Sequence, residues 1–131
     1  MEDRYLFRGK RIDNGEWVEG YLSYPFCTKK GNESYYFYAK DSLGFFCRCV
    51  VDASTICQCT GLKDKNGKLI WENDIVKINN SKVNTVITFR DFEIICTIPN
   101  EKYYKHRLEY DTEYEVIGNK FDNPELLESE E

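Results

Sequence analysis

Four of the six cysteines fall in two close pairs, Cys47-Arg48-Cys49 and Cys57-Gln58-Cys59, which together supply the thiol count of a structural zinc site. The spacing argues against one. Residues i and i+2 of a strand share a face but lie roughly 6 to 7 Å apart. Thiolates on a tetrahedral zinc, with bonds of about 2.3 Å, sit roughly 3.8 Å from one another. Zinc knuckles close that gap with a turn, and neither pair contains one. The expectation is reduced, buried thiols acting as small hydrophobes, with no metal and no other cofactor.

His106 is the single histidine, so any Ser-His-Asp or Cys-His nucleophile system has to be built on it. It stands in the charged run Tyr103-Tyr104-Lys105-His106-Arg107, where a solvated histidine is the simpler expectation. Asp64, Glu72 and Asp74 are spaced so that a hairpin could bring them together as acid and base, or as magnesium ligands. Turn chemistry accounts for them with fewer assumptions: Asp64 opens the Asn66-Gly67 turn, and Asp74 can bind nearby backbone. Asp64-Lys65-Asn66-Gly67 also has the look of a calcium loop, but its Gly comes too early and the later bidentate Glu is missing. No catalytic residue is assigned.

Tyr35-Tyr36-Phe37-Tyr38 and Tyr103-Tyr104, interleaved with Lys40, Lys102, Lys105 and Arg107, have the composition of stacking platforms for single-stranded nucleic acid. Strand packing or self-association uses the same residues. A formal net charge of -5 and a pI near 5.0 disfavour nonspecific nucleic-acid binding, leaving room only for a local basic patch. Tyr103, Tyr104, Lys105 and Arg107 form the candidate interaction surface.

The elements that must position these residues are strands. Aromatics make up 15% of the 131 residues, and Val, Ile and Thr fill much of the remainder, which favours a mainly β fold with little helix. The length suits one domain or two small β modules and needs no staple. Tyr5 to Arg8 and Glu16 to Leu22 read as strands joined by a hairpin at Asn14-Gly15; Ser34 to Ala39 and Phe45 to Val51 continue a meander. Asp52-Ala53-Ser54 breaks the pattern, giving an N-terminal region 1–52 and a C-terminal region 53–131 that are expected to form one compact unit.

In the second region, Asn66-Gly67 is expected to form a type I′ hairpin turn, because that dipeptide tolerates two positive φ angles. Glu72-Asn73-Asp74 reads as a second tight turn before the strand Ile75 to Ile78, with Asn73 suited to the left-handed region. Val83, Thr85, Ile87 and Phe89 line one strand face, and Ile94, Cys96 and Ile98 the next, with Arg90-Asp91 as the turn between them. The run 101–107 has no clear period and reads as a loop or helical turn. Tyr114 to Gly118 is a last strand, and Asn123-Pro124-Glu125-Leu126-Leu127 a helical turn with Asn123 as cap. The opening residues carry charges where a signal peptide needs an apolar core, and no uncharged run approaches a membrane span. A soluble cytoplasmic protein is expected.

Three blocks of the chain resemble the YopX protein family, small proteins carried mainly by phages and prophages of bacteria. They are Phe7-Arg8-Gly9-Lys10-Arg11-Ile12 with Gly15-Glu16-Trp17-Val18 and Gly20-Tyr21; Thr60 to Lys68 with Glu72-Asn73-Asp74-Ile75-Val76; and Tyr114 to Asn119 with Asn123 to Leu127. The resemblance implies an SH3-like β-barrel in the C-terminal half, preceded by a smaller N-terminal β-hairpin or meander region. It departs from the family at Asn73, usually Gly, and at Cys59, usually aromatic. Cys57 and Cys59 also occupy places that the family fills with residues unable to bind metal. It transfers no activity and no catalytic or binding residue.

The expected function is a noncatalytic phage or prophage accessory protein in the bacterial host cell, an interaction module forming a homo-oligomer and meeting a host or phage protein. A single-stranded nucleic-acid-binding protein acting through Lys102, Tyr103, Tyr104, Lys105 and Arg107 is the alternative. A small enzyme centred on Asp64, Glu72 and Asp74 is the second.

Overall fold

A computed structural model describes residues 6–29, 32–40, 46–90, 93–99, 101, 105–109 and 112–128, with 22–48 described by backbone alone. Among these residues the chain is built of antiparallel strands with two 3-10 turns and no α-helix. It divides into two compact units, Met1–Cys59 and Thr60–Glu131.

In the first unit, β1 (Phe7–Lys10), β2 (Trp17–Lys29), β3 (Asn32–Lys40), β4 (Phe46–Asp52) and the start of β5 (Cys57–Lys63) run in the order β4-β3-β2-β1-β5. The expected hairpin at Asn14-Gly15 forms: Arg11 N donates to Glu16 O at 2.9 Å and Gly15 N returns to Arg11 O at 2.9 Å. Gly15 alone takes the left-handed conformation, at φ 72°. β2 extends well beyond the expected Leu22, because Pro25 sits beside a register shift in its pairing with β3 and leaves the ladder continuous. Past β1, Arg11 bridges Val51 of β4, and Ile12 N donates to Val50 O at 3.1 Å. The sheet therefore curls until β4 meets the far edge of the β1 segment at a single bridge. The Asp52-Ala53-Ser54 break is the 3-10 turn Ala53–Thr55, whose Ser54 N is capped by Asp52 Oδ1 at 3.0 Å.

In the second unit, the end of β5 is followed by β6 (Leu69–Trp71). Then β7 (Asp74–Ile78), β8 (Thr85–Arg90), β9 (Glu93–Thr97), β10 (His106–Arg107) and β11 (Tyr114–Asn119) form a sheet in the order β10-β9-β8-β7-β11. Among the described residues no pairing joins β10 to β11, so the sheet is open rather than a closed barrel. The core on one of its faces is Ile70, Val76, Ile87, Cys96 and Tyr114, with Phe89, Ile94 and Val116 packed against it. The register explains the grouping, since Ile87 faces Cys96, Phe89 faces Ile94 and Val116 faces Val76. Val83, expected on the same face, lies before β8 and is 47% exposed. Residues 106–107 form a strand rather than a loop or helical turn, because β9 offers them backbone partners. The Arg90-Asp91 turn falls partly outside the described residues.

Two turn expectations change. Asn66-Gly67 does not form a type I′ turn, since Gly67 alone is left-handed, at φ 83°. Gly67 N donates to Asp64 O at 3.0 Å and Asp64 N to Lys68 O at 2.7 Å, which is a three-residue hairpin loop ending on a left-handed Gly. The type I′ geometry appears at Asn79-Asn80 instead, with φ 47° and 62°, closed by Ser81 N donating to Ile78 O at 2.9 Å. Asn73 is left-handed as expected, at φ 70°. The final 3-10 turn, Pro124–Leu127, carries Pro at its start, but the Asn123 side chain makes no cap hydrogen bond. That side chain accepts instead from Asn119 N at 3.2 Å.

Candidate functional site

Asp64, one of the three carboxylates considered for acid–base work, accepts three backbone hydrogen bonds. Its Oδ1 accepts from Asn66 N and Lys68 N, both at 2.9 Å, and its Oδ2 accepts from Val116 N at 3.0 Å. Lys65 N donates to Tyr114 O at 2.8 Å, so the loop covers the outer edge of β11 with one backbone donor and one carboxylate. The same bonds explain the turn type: Asp64 holds Lys65 and Asn66 in a side-chain-bridged turn and leaves only Gly67 left-handed. Burial pushes the Asp64 carboxyl up and is the largest single influence. The donors of Val116, Lys68 and Asn66, with the Lys68 charge, outweigh it and hold the group below its ordinary 3.8.

Asp74 is 1% exposed, and its Oδ2 accepts from Trp71 N at 2.8 Å across the β6–β7 turn. Within that turn Asn73 N donates to Ile87 O at 2.8 Å, and Lys120 N donates to Asn73 O at 3.0 Å. One left-handed residue thus ties the turn to β8 and to the segment after β11. That segment is organised by Asn119, whose Oδ1 accepts from Phe121 N at 3.0 Å and Asp122 N at 2.9 Å. Gly118 lies where a Cβ would come within 2.5 Å of Asn123 Oδ1. Asp64 and Asp74 are thus each engaged by their own backbone donors. Among the described residues no three His, Cys, Asp or Glu side chains gather in a metal-holding group.

The thiols of Cys49, Cys57, Cys59 and Cys96 are all buried. Cys57 Sγ donates to Thr55 O at 3.2 Å, and burial pushes the Cys96 thiol up to about 11. The side chain of Cys47 lies outside the described residues.

Of the candidate interaction surface, Tyr103 and Tyr104 lie outside the described residues, as does Lys102. Lys105 and Arg107 flank one carboxylate. Lys105 Nζ is 2.9 Å from Glu93 Oε2, and Arg107 Nη2 donates to Glu93 Oε1 at 2.5 Å. The Lys105 hydrogen bond, followed by the charge of Arg107, holds the Glu93 carboxyl below its ordinary 4.5. The adjacent His106 is not the solvated histidine that its neighbours imply. Its ring is partly buried and edge-on to Tyr114, with centroids 6.2 Å apart, and Nε2 lies 3.2 Å from Tyr114 Oη. Tyr114 Oη accepts from Glu109 N at 3.0 Å, which leaves its own proton for His106 and suits the tautomer with Nε2 as acceptor. No local signal announces this contact, because Tyr114 comes from the opposite edge of the sheet.

One cluster was missed in the sequence although its ingredients were legible. On the β1–β2 hairpin, Lys10 faces Trp17 in register, and Arg8 stands two residues along on the same face. The Arg8 guanidinium lies 4.7 Å from the Trp17 ring centroid and Lys10 Nζ lies 5.4 Å from it. Strand parity alone puts Lys10 and Trp17 on one face; a two-residue Asn14-Gly15 turn would set Lys10 opposite Glu19, and it is the closure of the loop at Arg11 and Glu16 that brings Lys10 opposite Trp17.

A family profile described as YopX protein matches residues 6–128. No characterised protein matches the chain.

Proposed function

The chain belongs to the YopX family, and from that premise we propose that it is a noncatalytic phage or prophage accessory protein, working as an interaction module in the cytoplasm of a bacterial host. It acts as a homo-oligomer that also meets a host or phage protein, and its C-terminal strands have the SH3-like character that the resemblance implies. The observation that carries this reading is the commitment of Asp64: both oxygens of the best-placed carboxylate are spent on backbone donors. The polar residues of the family-defining segment hold strands together, and surfaces are left to do the work. The segment around Lys105 and Arg107 is the proposed contact, with Glu93 setting the geometry of both cations. No helix among the described residues is long and apolar enough to cross a membrane.

Light scattering of the purified protein across a dilution series tests the assembly, and affinity purification from the host tests the partner. A stable multimer that loosens on Arg107→Glu is the expected result. A monomer at every concentration, with no host protein retained, removes the proposal.

A further inference from the structure

The chain carries Asn-Gly twice, at Asn14-Gly15 and Asn66-Gly67, and both dipeptides stand exposed in hairpin loops. Asn-Gly is the dipeptide most open to an intramolecular reaction, because glycine has no Cβ to keep its backbone nitrogen from the preceding carboxamide. The nitrogen attacks the Asn Cγ and the N–Cγ bond forms; the Cγ–Nδ2 bond breaks, and Nδ2 leaves as ammonia with the proton of the glycine N–H. Water then opens the resulting succinimide at either carbonyl, giving aspartate or isoaspartate. One water is consumed and one ammonia released, with no change of oxidation state. Beyond their chain neighbours, neither glycine has a heavy atom within 4 Å of the position a Cβ would take, so space does not distinguish the two sites.

The hydrogen bonds do. At the second hairpin three successive amides are held by one residue: Asn66 N and Lys68 N donate to Asp64 Oδ1, both at 2.9 Å, and Gly67 N donates to Asp64 O at 3.0 Å. Gly67 N reaches the Asn66 Cγ only by turning the peptide between those two clamped amides, and the ionised Asp64 beside them opposes the anionic nitrogen that attacks. At the first hairpin Gly15 N donates to Arg11 O at 2.9 Å, and the next amide, Glu16 N, donates to Asn14 Oδ1 at 2.9 Å. Oδ1 is the atom that takes on negative charge when Gly15 N attacks, so this N–H is aimed where the oxyanion develops. The neighbouring Asp13 carboxylate is turned to Arg11, whose Nε and Nη2 donate to it at 3.0 and 2.7 Å, and the guanidinium offsets its charge.

We infer that Asn14 is a site of spontaneous deamidation, converting to isoaspartate and aspartate in the folded chain, while Asp64 protects Asn66. The product adds a carboxylate to a unit that is formally neutral, and isoaspartate adds a methylene to the main chain inside the loop closed by Arg11 N and Glu16 O. That closure sets Lys10 opposite Trp17, so the modification acts on the register of the β1–β2 hairpin.

The test is incubation of the full chain in mildly alkaline buffer, folded and in parallel in urea, followed over time by peptide mass spectrometry. Trypsin places Asn14 in Ile12–Lys29 as the sole Asn, and cleavage after glutamate places Asn66 in Ser34–Glu72, again as the sole Asn. Deamidation raises a peptide by one mass unit, and fragmentation across the Cα–Cβ bond of isoaspartate identifies that product. In the folded chain Asn14 should convert at least about tenfold faster than Asn66, the size set by the additional backbone bonds that must open at Asn66. In urea the two rates should come within about threefold, because the unfolded chain keeps neither the clamp nor the oxyanion donor. Asp64→Ala should raise the Asn66 rate while Asn14 keeps its own, and the comparison of folded chain with urea carries the test should that variant not fold. The inference is overturned if Asn66 converts as fast as Asn14 in the folded chain, or if Asn14 stays intact over a time in which both sites convert in urea. A preference for Asn14 that persists unchanged in urea, or in folded Asp64→Ala, also overturns it, since flanking sequence would then be the cause.

Discussion

Asp64 joins three backbone donors from two segments that are otherwise far apart in sequence, and its removal strands all of them. Asp64→Ala should cost about 1–3 kcal/mol in urea unfolding, since three part-buried hydrogen bonds lose their ionised acceptor. A change below about 1 kcal/mol would show that water replaces the carboxylate. The pH dependence has a definite sign. The folded carboxyl sits below its ordinary 3.8, so its stabilisation is fully present above that value and is lost as pH falls through the lower folded pKa. Asp64→Asn should therefore flatten the acid limb of the stability curve while leaving the neutral-to-basic side parallel to wild type. Gly118 is the second residue whose identity is fixed by a neighbour. Gly118→Ala places a Cβ at 2.5 Å from Asn123 Oδ1 and should destabilise by about 1–3 kcal/mol. A double-mutant cycle with Asn123→Ala should recover part of that loss, and strict additivity would mean that the contact is not its source.

At the scale of elements, the turns carry more of the specification than the strands. The β6–β7 turn depends on Asn73 at φ 70°, with its N–H and C=O bonded to Ile87 and Lys120. Asn73→Gly should be neutral or slightly stabilising. Asn73→Val should cost about 1–3 kcal/mol, because a β-branched residue is strained in the left-handed region. Thermal unfolding of the pair separates backbone conformation from side-chain chemistry, and equal losses would point to the side chain. The Asn66-Gly67 loop shows how an element can be foreseen while its internal geometry is not. The hairpin follows from the dipeptide and its apolar flanks. The turn type follows from Asp64, whose side chain is fixed by the distant Val116 as well as by the loop. Asn79-Asn80 is the converse case. Neither neighbour is Gly, so the segment gives a weaker turn signal, yet the backbone there adopts both positive φ angles.

At the scale of the whole molecule, each unit is organised around buried apolar residues that include cysteine. Cys49, Cys57, Cys59 and Cys96 should react with a thiol reagent only as the protein unfolds, and peptide mapping of the labelled protein assigns the sites. For Cys96, burial raises the thiol to about 11, so its thiolate fraction at neutral pH is roughly one part in ten thousand. Rapid labelling of Cys96 in the native state would contradict its place in the core. The distribution of charge also belongs to this scale: the first unit is formally neutral and the second carries the whole acidic excess. A single net charge for the chain hides that division.

The sequence by itself determined the β class, most strand positions, both Asn-Gly hairpins, the left-handed Asn73 and the family. Each depends on interactions between residues a few positions apart: side-chain alternation, backbone preferences of Asn and Gly, and apolar spacing. Only the tertiary structure decided that Asp64 caps the edge of β11, that His106 meets Tyr114, that Glu93 holds Lys105 and Arg107, and that Asn123 serves Asn119 rather than capping its own turn. The physical reason is common to the first three. A side chain's partner across a sheet is chosen by strand order and register, and those depend on how many segments pack together rather than on any local stretch. For Asn123 the competing donor is only four residues away, but its position was fixed by the bulge in the β7–β11 pairing between Val116 and Gly118.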